Sequence, residues 1–193
     1  MSSTQTFHFD AATHTYSDQV GEVPGITRLL TLAGEIDDEW YTEESSERGR
    51  AVHKLTAEYD LGVITNEDLP HLVSAYKNYL LGHVEVMQII QPNWVHVETA
   101  MFHRELRFGG TPDRGGTVYN AASVWEIKSG LRTKAHPLQT AFQALLLAEE
   151  CRLPPQSIQR YCCYLQPNGR YKVEGHGNQA DFAKVLGILN KYR

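Results

Sequence analysis

The sequence predicts an α/β fold in which helices flank a mixed central sheet, with a short hairpin and helix placed before it. Three observations carry that expectation. A helical pattern gives way to three successive strand patterns, then to a strong helix over 137–151 and a further strand over 158–166, an order that packs helices onto a sheet. The 193 residues, 41% hydrophobic and 21% charged, suit a soluble globular chain with a sizeable core, as one domain or one domain plus a small appendage. No internal repeat, low-complexity tract or long linker interrupts the pattern.

The elements follow in chain order. Phe7-His8-Phe9-Asp10 and Thr13-His14-Thr15-Tyr16 alternate around Asp10-Ala11-Ala12, which reads as a hairpin. Pro24-Gly25 breaks the chain, and 26–33 reads as one short helix. Ser45 and Ser46 are candidate N-caps for a helix reaching Asp60, with Val52, Leu55 and Tyr59 as its apolar stripe. Asn66-Glu67-Asp68-Leu69-Pro70 is a helix-start signal with proline near the first turn. That helix reaches Leu81, continues towards Ile90 with a break expected near Gly82, and ends at Pro92. Strand patterns cover 94–102, 106–115 and 123–129. The helix over 137–151 places Phe142, Leu145, Leu146 and Ala148 in register. Strands over 158–166 and 170–174 flank a Pro167-Asn168-Gly169 turn, and a helix over 181–191 closes the chain.

Composition excludes several classes. No run of about 18 apolar residues exists, so no membrane-spanning helix is expected. Met1-Ser2-Ser3-Thr4-Gln5-Thr6 lacks a basic region followed by an apolar one, so a cytoplasmic protein is the expectation. Cys151, Cys162 and Cys163 make no disulfide framework and fall short of the four thiolates of a typical iron–sulfur cluster, so none is expected. Cys162 and Cys163, adjacent on a strand, point to opposite faces and read as structural. The net charge of −5 argues against bulk attraction to nucleic acid, but it is unevenly spread. Glu35, Asp37, Asp38, Glu39, Glu43, Glu44 and Glu47 form an acidic block, whereas Lys128, Arg132, Lys134 and His136 form a basic segment.

Gly110-Thr111-Pro112-Asp113 and Glu126-Ile127-Lys128-Ser129-Gly130 carry the chemistry. A hairpin reversing between Tyr119 and Asn120 would set Asp113 across an antiparallel ladder from Glu126. Strand alternation places Glu126 and Lys128 on one face, with Trp125 and Ile127 on the other. Two hard oxygen ligands beside an ammonium group suit metal-assisted phosphodiester cleavage. Taken alone, the same residues also describe a half-buried strand with a solvated polar face.

The element order, with Asp113 and Glu126-Ile127-Lys128 on the second and third strands, resembles the PD-(D/E)XK nuclease superfamily and, within it, the RecB-like exonucleases of phage type. Gly110-Thr111-Pro112-Asp113-Arg114, Glu126-Ile127-Lys128-Ser129-Gly130 and Arg48-Gly49-Arg50-Ala51-Val52-His53 carry the likeness, which runs from about Arg48 to Gln143. Thr13-His14-Thr15-Tyr16 and Val23-Pro24-Gly25-Ile26-Thr27 look like the opening of phage-encoded members. The resemblance implies a restriction-endonuclease-like αβββαβ core over 45–193 with a hairpin-and-helix appendage over 1–44, together one nuclease domain. It implies Mg²⁺ or Mn²⁺ held by His53, Asp113, Glu126 and the Ile127 carbonyl, with Asp113, Glu126 and Lys128 as the catalytic residues. Gln139 and Gln143 stand where the family places Gln-x-x-x-Tyr, Gln143 replacing the tyrosine; both are candidates to position DNA or the site, and Arg114, Arg132 and Lys134 are candidates to grip DNA beside them. Glu98, where relatives often carry glutamate, either orients a ligand or metal-bound water, or pairs with Arg104 or Arg107. His8, His14, His71, His83, His96, His103, His136 and His176 read as structural.

The implied activity is exonucleolytic hydrolysis of DNA to 5′-phosphates, in phage recombination or DNA processing, in the cytoplasm of a bacterium or phage-infected cell. Single- or double-stranded ends would be the partner, with no membrane; a homo-oligomer or a recombination partner stays open. Two alternatives remain at this stage: an endonuclease of the same superfamily, and a DNA- or partner-binding module with weakened chemistry.

Overall fold

A computed structural model describes residues 6–36 and 42–192. The expected N-terminal hairpin is a three-stranded antiparallel meander of β1 (His8–Asp10), β2 (Thr15–Asp18) and β3 (Gly21–Val23). The third strand escaped sequence reading because three residues cannot show a period. Helix α1 (Ile26–Leu32) follows, as expected.

Helix α2 (Glu43–Asp60) starts before the serines read as caps. Thr42 is the N-cap: its side chain accepts from Ser45 N–H while Ser45 Oγ accepts from Thr42 N–H, a reciprocal box. Of the acidic block, Glu43 and Glu44 occupy the first turn of α2, where carboxylates offset the helix dipole. Glu35 pairs with Lys184 and Lys134, while Asp37, Asp38 and Glu39 lie outside the described residues, as do Met1 to Gln5.

The helix expected from 66 begins only at Lys77, as α3 (Lys77–Ile90). Asp68 instead closes a turn, its carboxylate accepting from both Thr65 N–H (2.8 Å) and Thr65 Oγ1 (2.7 Å). Nor does α3 break at Gly82. A Cβ there would lie 2.7 Å from the Gly169 carbonyl oxygen, so glycine lets the β-turn at Gly169 pack against an unbroken helix.

The central sheet has the order β10-β9-β8-β7-β4, with β4 (Asn93–Val97), β7 (Arg114–Val118), β8 (Ala121–Lys128), β9 (Gln159–Leu165) and β10 (Tyr171–Gly175). Pairing is antiparallel except between β8 and β9, which run parallel because α4 (Ala135–Cys151) crosses between them. Helix α5 (Ala180–Tyr192) completes the chain. This is the mixed central sheet flanked by helices that the sequence predicts.

Two expected long strands are each cut in two. The 94–102 pattern divides into β4 and β5 (Met101–His103), the 106–115 pattern into β6 (Phe108–Gly110) and β7, and β5 pairs with β6 in a separate ribbon. The cuts fall at Glu98, whose φ is +48°, and at Thr111-Pro112-Asp113, where proline withholds a ladder donor. The β7–β8 hairpin is as expected: Arg114 pairs with Trp125, Val118 with Ala121, and Tyr119 and Asn120 form the two-residue turn. Both turn residues have positive φ, +49° and +64°, as a primed turn requires.

Alternation along β8 sorts the core. Trp125 and Ile127 face α2 and α3, packing with Val52, Val86, Met87 and Ile90. Val124 faces the opposite layer of α1, α4 and α5, with Leu29, Phe142, Leu146, Val185 and Leu189. Cys162 and Cys163 are both buried, one per face, whereas Cys151 is exposed.

Candidate active site

The site forms where the cut strands meet. The β7–β8 register carries Asp113, just before β7, alongside Glu126. Asp113 Oδ2 accepts from Ile127 N–H at 2.6 Å, which fixes the carboxylate against the neighbouring strand. The Asp113 carbonyl accepts from Glu98 N–H at 3.0 Å, so the cut after β4 is tied to the cut before β7. From α2, His53 places Nδ1 3.3 Å from Asp113 Oδ1 and 3.3 Å from Glu98 Oε1. One ligand atom from each of His53, Glu98 and Asp113 lies within 4.8 Å of the others, the one such group among the described residues.

Glu98 is therefore a member of the cluster, and the alternative, a pairing with Arg104 or Arg107, is not seen among the described residues. Arg107 pairs with Asp18 instead. Glu126 stands differently from expectation too. Its Oε1 accepts from Lys128 Nζ at 2.6 Å and Gln139 Nε2 at 2.6 Å, and its Oε2 accepts from Gln143 Nε2. The two glutamines, four apart on one face of α4, hold the Glu126 carboxylate. Of the two roles expected of them, positioning DNA or positioning the site, this contact is the second: Gln143 is 1% exposed, and its amide N–H is committed to Glu126.

Arg114 is a correction to an expected contact with DNA. It is 0% exposed and cannot grip a phosphate in solution. Its Nε donates to Asp60 Oδ2 at 2.5 Å, and its Nη1 to the Asp113 carbonyl at 2.6 Å and to Glu98 Oε1 at 3.4 Å. Asp60 also accepts from His83 Nε2 at 2.8 Å. The arginine thus braces two members of the cluster from behind, with Asp60 two turns along α2 from His53. Arg132 pairs with Glu174 at 2.6 Å, and Lys134 donates to the Gly34 carbonyl at 3.1 Å. Both side chains are mostly exposed but already engaged.

The electrostatics separate the two buried carboxyls. Burial pushes Asp113 up, but His53, Lys128 and the Ile127 N–H together hold it below the usual value. Burial raises Glu126, the Asp113 charge raises it further, and Lys128 and His53 oppose this without reversing it. The negative charge of Asp113 raises His53 well above an ordinary imidazole, against burial and with help from Glu98. Burial disfavours the Lys128 ammonium, yet Glu126 and Asp113 keep it firmly charged.

An imidazole and two carboxylates converging at one point are a donor set for Mg²⁺ or Mn²⁺, the nitrogen ligand leaning towards manganese. His53 and Glu98 also line an open cleft of ≈ 480 Å³ with Gly49, Arg50 and Lys54. Sequence reading missed Arg50 and Lys54 as basic residues of this cleft. The signal was present: they lie four apart, on one face of α2 beside His53.

No family model matches the chain, and no curated protein matches it. Among solved structures, that of a "Putative exonuclease" from Eubacterium rectale overlaps 85% of this chain and 69% of its own, with a TM-score of 0.47 and 9% sequence identity. An overlap at that level assigns no chemistry to this chain. No helix among the described residues is long and apolar enough to cross a membrane.

Proposed function

We propose that this chain is a metal-dependent deoxyribonuclease of PD-(D/E)XK type, acting on DNA ends, with 1–44 and 45–193 working as one nuclease domain. The observation that carries the reading is convergence. His53, Glu98 and Asp113, from three separate stretches of the chain, share one point, and Glu126 with Lys128 stands beside it on the neighbouring strand.

His53, Asp113 and Glu98 would hold Mg²⁺ or Mn²⁺; Glu126 and the Ile127 carbonyl, ligands by resemblance, belong to the strand whose Ile127 N–H binds Asp113. When bound, the cation lowers the pKa of a water and offsets charge on the scissile phosphate. Lys128, held as an ammonium by Glu126, orients the attacking water and balances negative charge growing on the phosphorus oxygens. Glu126, fixed by Gln139 and Gln143, keeps that lysine in place and, with its raised pKa, is suited to accept a proton. Arg50 and Lys54 line the cleft by which the phosphate backbone approaches. Water adds to phosphorus and the bond to the 3′ oxygen breaks, leaving a 5′-phosphate and a 3′-hydroxyl.

Incubation of labelled linear duplex and single strands with Mg²⁺ or Mn²⁺ tests this. Wild-type protein should shorten both or one of them, with Lys128→Ala and Asp113→Ala slower by two orders of magnitude or more. Equal digestion by all three proteins removes the assignment. A closed circle left intact supports an exonuclease, whereas discrete fragments point to the endonuclease reading. A binding module with weakened chemistry draws on the saturation of both Glu126 oxygens by nitrogen donors; metal-independent DNA binding without product would favour it.

A further inference from the structure

Two sequence segments remain unused by the proposed chemistry, Thr13-His14-Thr15-Tyr16 and Val23-Pro24-Gly25-Ile26-Thr27. Both line a pocket of ≈ 300 Å³, together with Glu22, Arg28, Thr111, Gln139 and Gln143. Tyr16 is the reason the segments belong together. Its ring is buried over Gly109, where a Cβ would come within 2.3 Å of it, and against Gly25, where one would come within 3.1 Å. Gly109 N–H donates to the Pro24 carbonyl at 3.0 Å, and Gly25 bridges to Gly109, so the appendage is fastened here. Tyr16 Oη then meets Thr111 Oγ1 at 2.8 Å and His14 Nε2 at 3.2 Å. One segment supplies the tyrosine and the other leaves room for it.

We infer that this pocket receives the base and sugar of the terminal nucleotide of a DNA strand, while its phosphate lies towards Glu126 and Lys128. The inference rests on the nuclease reading. Size favours one nucleotide, because a base pair with two backbones is larger than the pocket. Charge favours the neutral part of that nucleotide: Arg28 Nη1 lies 2.5 Å from Glu22 Oε1, so these two cancel and offer no second phosphate site. The threonine hydroxyls can donate or accept, and the glutamine carbonyls accept, which tolerates any base. Gln143 makes the connection to the chemistry. Its amide N–H is given to Glu126, while its buried carbonyl oxygen has no hydrogen-bond partner among the described residues. An N–H or O–H of the nucleotide would complete it beside the catalytic carboxylate.

Thr27→Trp, at an exposed position, tests the pocket by filling it. The probe is hexadeoxythymidylate, fluorescent at either end, bound to Lys128→Ala protein with Mn²⁺ and compared with a circular single strand. Thr27→Trp should weaken binding of the linear probe at least tenfold and leave the circle, the melting temperature and Mn²⁺ affinity unchanged. In otherwise wild-type protein it should raise KM for linear DNA about tenfold. Equal affinity with and without the tryptophan, equal loss for linear and circular strands, or no binding of the linear probe at all overturns the inference. If wild type cleaves and Thr27→Trp cleaves identically, the pocket falls and the nuclease stands. If the tryptophan abolishes binding but wild type never cleaves, the nuclease falls and a strand-end pocket stands.

Discussion

Arg114→Met leaves Asp60 buried with only His83 as a strong partner, and takes support from the Asp113 carbonyl and Glu98. Removing one member of a fully buried ion pair costs about 3–5 kcal/mol, because the remaining charge is stranded. Arg114 is 0% exposed and the Asp60 side chain 3%, so the full range applies. For a chain of this size each kcal/mol moves Tm by about 2–4 °C, giving a drop of about 6–20 °C. Asp60→Asn in the same protein removes the stranded charge while keeping a partner for His83, so the double variant should regain about 2–3 kcal/mol relative to the sum of the singles. Urea denaturation of wild type, both singles and the double measures this. Acid adds a second readout: Asp60 is held below its usual value, so its contribution is full above about pH 4 and is lost as pH falls below that. In the Arg114→Met protein that acid dependence should shrink. Strict additivity of the two substitutions, within about 0.5 kcal/mol, would refute the reasoning.

Other outcomes follow from single contacts. Gly109→Ala puts a methyl 2.3 Å from the Tyr16 ring, an overpacking that should cost about 1–3 kcal/mol and speed proteolytic cutting near residues 20–25, read by limited digestion. Burial and the nearby Lys128 charge lower His136 to about 3, so the folded protein resists its protonation while the unfolded chain does not. Stability should therefore fall as pH drops below about 6.5, by about 2 kcal/mol between pH 7 and pH 5 from this residue, and His136→Gln should remove that part in paired urea melts. His53, raised in pKa, acts in the opposite sense, so the difference between the two proteins is the quantity to compare.

The hairpin that joins Asp113 to Glu126 was legible because the spacing of the two carboxylates puts its reversal at Tyr119 and Asn120, in a stretch of turn-like composition, and strand alternation does the rest. The cuts at 98–100 and 111–113 were not, since the alternating pattern runs through them and only Pro112 warns of an interruption. The role of Arg114 was invisible for another reason. Its partner Asp60 is 54 positions away, and nothing local marks an arginine for burial. Gln139 and Gln143 were correctly grouped by their spacing on α4, but the sequence could not say that they turn towards a carboxylate. The false helix start at 66 shows the same limit, because Asp68 closes a turn as readily as it begins a helix.

Calorimetric titration with Mn²⁺ tests the central claim most directly. Wild-type protein should bind one ion saturably, and His53→Ala, Glu98→Gln and Asp113→Asn should each weaken it by tenfold or more while the protein stays folded. Absence of binding by wild type, or unchanged affinity in all three variants, would contradict the convergence of these side chains on a common cation.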